Sequence, residues 1–181
     1  MSIEISIPET RLWDPVKEEF LYVKSQNLLL EHSLLSVSKW EAKWKKPYLN
    51  TEKTPIEVLD YLKCMTLTKH VDPNVYYAIP EGELKKINDY ISDPMTATTI
   101  TNHGDTRAPK REIITAEILY WQMAQLNIDL EWEKRHLNRL LTLIQVCAVK
   151  SQPPKKMSKS EIARQNKALN AARRKKFHSH G

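Results

Sequence analysis

The hydrophobic period changes once along this chain, near residue 33, and that change restricts the fold more than composition does. Before it, Ile3, Ile5 and Ile7 alternate with Glu4 and Ser6, the period of a strand with one buried face. Phe20-Leu21-Tyr22-Val23 and Leu28-Leu29-Leu30 are short apolar runs bounded by Asp14-Pro15 and Ser25-Gln26-Asn27. Residues 1–33 therefore read as a small antiparallel β meander. From Ser36 the spacing becomes helical, with Val37, Trp40 and Trp44 on one side and Lys39, Lys43, Lys45 and Lys46 on the other, until Pro47 stops the turn. The expected class is α+β, mainly α: the meander, a helical bundle over 34–152, and a detached basic helix at the C-terminal end.

Helix signals are clearest at Thr54-Pro55-Ile56-Glu57, where a capping box surrounds a proline at the first helical position. That helix should reach about Leu67 and bury Val58, Leu59, Leu62 and Met65. Asp72-Pro73 opens a short turn through Ala78, and a further helix over 83–92 turns Leu84, Ile87 and Ile91 inward before Asp93-Pro94. Residues 93–110 have no helical period and form the longest loop. Apolar residues cover most of the circumference of 111–127, which predicts a central helix buried on several sides but too short to span a membrane. Asp129 can cap the next helix, whose Leu137, Leu140, Leu141, Ile144 and Ala148 share a face. The short link between these two helices predicts an antiparallel hairpin.

Pro153-Pro154 then divides a body, 1–152, from a tail, 153–181. The net charge of +6 is distributed unevenly across that division. Residues 155–181 hold nine Lys or Arg and one acid, which leaves 19 bases and 21 acids on residues 1–154. Every electrostatic partner is thus met by the tail. Ser158-x-x-Glu161 is a second capping box, and Ile162 and Leu169 share an otherwise thin apolar stripe, so this helix is expected to gain order on docking.

Three glycines leave no phosphate-binding loop, and no GxSxG or paired metal spacing occurs. No cofactor and no metal are expected, and an enzyme is the least supported class. Cys64 and Cys147 sit in apolar helical patterns and read as core filler. Thr98, Thr99, His103, Asp105 and Arg107 bring polar chemistry into one loop, although such loops are commonly solvated connectors. Trp40 and Trp44 either contact a partner or face the core beneath solvated lysines. The run Arg173-Arg174-Lys175-Lys176 can neutralise phosphates weakly or dock an acidic groove of a partner.

The strings Ser38-Lys39-Trp40-Glu41-Ala42-Lys43-Trp44-Lys45-Lys46-Pro47, Asp60-Tyr61-Leu62-Lys63-Cys64-Met65-Thr66, Arg111 to Glu117, His136 to Leu141, and Lys156 to Lys159 with Arg173 to Lys176 resemble a group of proteins of long-tailed bacteriophages. The tail assembly chaperones are the closest functional label within it. That resemblance implies a non-catalytic protein that keeps the tape measure protein soluble during tail assembly in the host cell cytoplasm. It also implies that a frameshifted longer form can exist. Partner-binding residues are then expected at Trp40, Trp44, Ile162, Leu169, Arg173, Arg174, Lys175 and Lys176, with a homo-oligomer as a further option and no membrane. The extended N-terminal segment is more β-like than such a helical chaperone. The alternatives are a nucleic-acid-binding protein acting through the tail and a structural virion component of the tail or neck.

Overall fold

The structure, a computed structural model, describes residues 2–15, 17–99, 113–151 and 159–177. It is α+β, mainly α: among the described residues there are four strands, then six α-helices and two 3₁₀ turns. The strands are β1 (Ile3–Ile7), β2 (Thr10–Asp14), β3 (Glu19–Val23) and β4 (Gln26–Leu30). They do not run as a serial meander. β1 pairs antiparallel with β4, Ile5 opposite Leu28, while β2 and β3, which fall between them in sequence, form a second two-stranded ribbon, Leu12 opposite Leu21. The reason lies in the apolar content of the inner faces. Ile5, Ile7, Leu28 and Leu30 are at most 1% exposed, whereas β2 buries no side chain fully and β3 only Val23, so the outer pair carries most of the strands' share of the core.

Helix α1 (Leu34–Trp44) begins at the Ser33 cap, where Ser33 and Ser36 exchange side-chain and backbone bonds, and ends at Lys45 in the left-handed region. Helix α2 (Pro55–Met65) has the expected Thr54–Glu57 box, the Thr54 N–H donating to Glu57 Oε2 at 2.7 Å. A 3₁₀ turn follows at Pro73–Tyr77, then α3 (Glu81–Ser92). The predicted helix over 111–127 is shorter. Residues 111 and 112 lie outside the described residues, Ile113 and Ile114 precede the helix, and α4 is Ala116–Gln125. Only Ala116, Leu119 and Met123 of it are buried, and Trp121 is 61% exposed, so α4 covers one face and is not a central helix.

Asp129 caps a 3₁₀ turn, Leu130–Lys134, and α5 (Leu137–Ser151) starts only afterwards, with Ala148 exposed. The hairpin of α4 with α5 is replaced by packing of α4 on α1. One tertiary bond and one backbone turn account for this. The Leu137 N–H donates to the His32 carbonyl at 2.9 Å, drawing the start of α5 to the β4–α1 junction. Asn127, at φ 53°, turns the chain between the helices.

Helix α4 has no cap of its own, since Thr115 makes no side-chain capping bond. Glu41 of α1 supplies one from elsewhere. Its carboxylate accepts the Ala116 N–H at 2.7 Å and, through its other oxygen, the Tyr48 N–H at 2.6 Å. An acid at a helix N-terminus also meets the positive end of the dipole. Glu41→Ala strands two backbone donors and is expected to cost roughly 2 kcal/mol in urea denaturation; a loss within error of zero would show that water replaces the carboxylate.

Two compact units divide the chain, residues 1–148 and 149–181. The second contains α6 (Lys159–Phe177). The capping residue expected at Ser158 lies outside the described residues. No helix among the described residues is long and apolar enough to cross a membrane.

Candidate functional site

Helices α2 and α3 are anchored on different elements, α2 on α1 and α3 on β1. An apolar cleft of about 350 Å³ separates them. One wall is Val58 and Leu62 of α2, and the other is Leu84, Ile87 and Ile91 of α3. The helical period predicted burial for Val58 and Leu84 as well as for their neighbours, yet these two are 44% and 38% exposed. They form lips instead of core because, among the described residues, no side chain fills the space between the helices. Leu84, Ile87 and Ile91 recur at i, i+3 and i+7, a ridge roughly 10 Å long at 1.5 Å per residue, which matches two turns of a docked helix.

The floor is aromatic and ends in a cation. The Tyr48 and Tyr61 rings lie 4.1 Å apart between centroids. Lys53 Nζ sits 4.1 Å over the Tyr48 ring and donates to the carbonyls of Tyr48 and Thr51 at 2.7 and 3.0 Å. Its half-buried position lowers its pKa from the ordinary lysine value. A docked helix would present its C-terminal carbonyls favourably to this end.

Beneath the floor runs a buried polar seam. Tyr61 Oη lies 2.5 Å from His32 Nδ1, and the His32 and His136 rings are 5.1 Å apart. His136 Nε2 donates to the Tyr90 carbonyl at 2.9 Å, which leaves its buried Nδ1 without a hydrogen-bond partner. Burial, with His136 as neighbour, lowers the His32 pKa to about 3, so the imidazole is neutral and accepts the tyrosine proton donor. Burial likewise raises Tyr61 and lifts the half-buried Cys64 thiol. Each of these groups is thereby held in its uncharged form, the state that joins elements in a core.

The sequence-predicted contact residues fall in different places. Trp40 is 0% exposed, its indole N–H donating to the Glu57 carbonyl at 2.8 Å; it is core and cannot meet a partner, which corrects that expectation. Burial wins because α1 packs on three elements, α2, α4 and the 130–134 turn. Trp44 is half-buried, with Lys43 and Lys46 5.7 and 5.9 Å from its ring. Lys46 also pairs with Glu57 at 2.6 Å, and Lys43 with Asp60. That pairing and the capping bonds hold the Glu57 carboxyl at about 2.

In the second unit Ile162 and Leu169 are 45% and 49% exposed on α6, and Arg173, Arg174 and Lys176 are exposed. Lys175 lies in the same helix, its side chain outside the description. Thr98 and Thr99 are exposed in irregular chain, and His103, Asp105 and Arg107 lie outside the described residues. Among the described residues no three His, Cys, Asp or Glu cluster for a metal ion. The cleft was not legible in advance, because the signal that marked its lips was the same apolar period that marks a core. Compared with protein-family models, curated proteins and solved structures, the chain matches none of them.

Proposed function

We propose that the protein is a non-catalytic binding protein of the tail assembly chaperone kind, which holds apolar helices of the tape measure protein in the α2–α3 cleft. The observation that carries this reading is the pair of exposed aliphatic lips, Val58 and Leu84, over an apolar floor. Helix-in-groove recognition needs such walls at helical spacing. The exposed Ile162 and Leu169 on the basic α6 supply a second contact, and the partner's identity comes from the resemblance of the sequence strings.

Co-expression with the tape measure protein should raise its solubility and co-purify the pair. The double variant Val58→Asp, Leu84→Asp should lose at least about 100-fold in affinity, since two aliphatic side chains of roughly 1.5 kcal/mol each are removed from the contact. Both positions are exposed, so its melting temperature should stay close to that of the unaltered protein. A tape measure protein that stays insoluble and unbound, or a double variant that binds normally, removes the reading.

The exposed cations of α6 favour a second reading, nucleic-acid binding. Mobility shifts that persist at physiological salt, with a slope of several phosphates, would select it instead.

A further inference from the structure

Strand β2 carries a feature that neither the cleft nor α6 uses. It is one edge of a two-stranded ribbon, and among the described residues no strand is hydrogen-bonded to its outer side. The other edge, β3, is flanked by the Pro73–Tyr77 turn. Exposed edges are commonly guarded by a lysine, a proline or a bulge, yet Thr10-Arg11-Leu12-Trp13-Asp14 contains no lysine and no proline and pairs with β3 in unbroken register. Its outward face is aromatic. Arg11 stands opposite Tyr22 and Trp13 opposite Phe20, with Trp13, Phe20 and Tyr22 52, 66 and 51% exposed.

The five residues are complementary to themselves when read in opposite directions. Antiparallel pairing of two copies about Leu12 sets Arg11 beside Trp13 of the second copy, twice by symmetry, and Thr10 beside Asp14. Arg11 and Trp13 lie on the same face in both copies, so the cation meets a ring at cross-strand distance. We propose that β2 is the seam of a two-fold dimer, in which a second copy of this chain pairs edge to edge and the two ribbons become one four-stranded sheet.

Charge and closure choose this occupant over others. Residues 9–24 hold Glu9, Asp14, Glu18 and Glu19 against Arg11, Lys17 and Lys24, nearly neutral for a second copy and of the wrong sign for a phosphate backbone. Pro8 and Pro15 bound the strand and limit pairing to five residues, while the Pro73–Tyr77 turn packs beside β3. The seam therefore makes a closed dimer and not a fibre. It is also short of the roughly 800 Å² per partner of a stable complex, so dimerisation should depend on concentration.

Sedimentation velocity on the full chain tests this, with circular dichroism as the check on folding. The unaltered protein should shift reversibly from monomer to dimer between micromolar and millimolar concentration. Trp13→Arg places arginines opposite arginines and should weaken the dimer at least about tenfold. The exchanged pair Arg11→Trp, Trp13→Arg restores the complement and should recover most of the association. An unaltered chain that stays monomeric throughout, its edge taken by an unrelated extended peptide instead, overturns the proposal, as does a Trp13→Arg protein that dimerises normally or an exchanged pair that stays as weak as the single variant.

Discussion

Replacing Trp40 with alanine should lower the stability of residues 1–148 by about 3–5 kcal/mol, the range for removing a large aromatic from a core. The side chain is completely enclosed, its ring meets Tyr48 edge-on at 5.2 Å, and its indole N–H holds the Glu57 carbonyl at the start of α2. The truncation thus opens a cavity where α1 meets α2 and also releases one hydrogen bond. Domains of this size are stable by about 5–15 kcal/mol, so the variant should melt far below the unaltered protein. Trp44→Ala, one turn away and half-buried, should cost about 1 kcal/mol. Chemical denaturation of the two variants gives the comparison. Equal and small losses would show that Trp40 is not the packing centre of α1.

Acid should unfold the body early, and His32 is the reason. Its folded pKa of about 3 lies below the ordinary 6.5, so the unfolded chain binds the proton more readily. The stability held by the neutral imidazole is complete above pH 6.5 and drains away as the pH falls from there towards 3. At 1.36 kcal/mol per unit, about 2 kcal/mol is gone at pH 5 and roughly 3 at pH 4. His136, also lowered by burial, adds in the same direction. Glu31, raised by burial, opposes them, whereas the lowered Glu57 and Asp60 release stability as the pH falls through the ordinary carboxylate range and beyond it. The unfolding free energy measured at pH 7 and pH 5 should therefore fall in the unaltered protein and fall clearly less in His32→Gln. Equal losses in both would assign the acid sensitivity to other groups.

The histidine illustrates how function and fold diverge in legibility. His32 sits in sequence between a strand and a serine, with no partner inside a turn's reach, and its meaning comes from Tyr61, Tyr90 and His136, which are 29, 58 and 104 positions away. Glu41 is the same case, an acid on the buried face of α1 beside Val37 and Trp40 that caps α4 across 75 positions. The cleft is a third. Val58 and Leu84 obey the helical period, but the period says only that a face is apolar, not whether another element arrives to cover it.

What could be read from the chain alone was what neighbouring residues decide. Backbone sterics and side-chain bonds over three or four positions set the change from strand to helix, the Thr54–Glu57 cap and the Asp72-Pro73 turn, and they need no distant partner. Assembly settled the rest: which strands pair, that Trp40 lies inside, that α4 rests on α1, and that a cleft lies between α2 and α3 among the described residues. Those outcomes depend on which apolar faces bury the most surface against one another, a competition among segments far apart in sequence that no local spacing records.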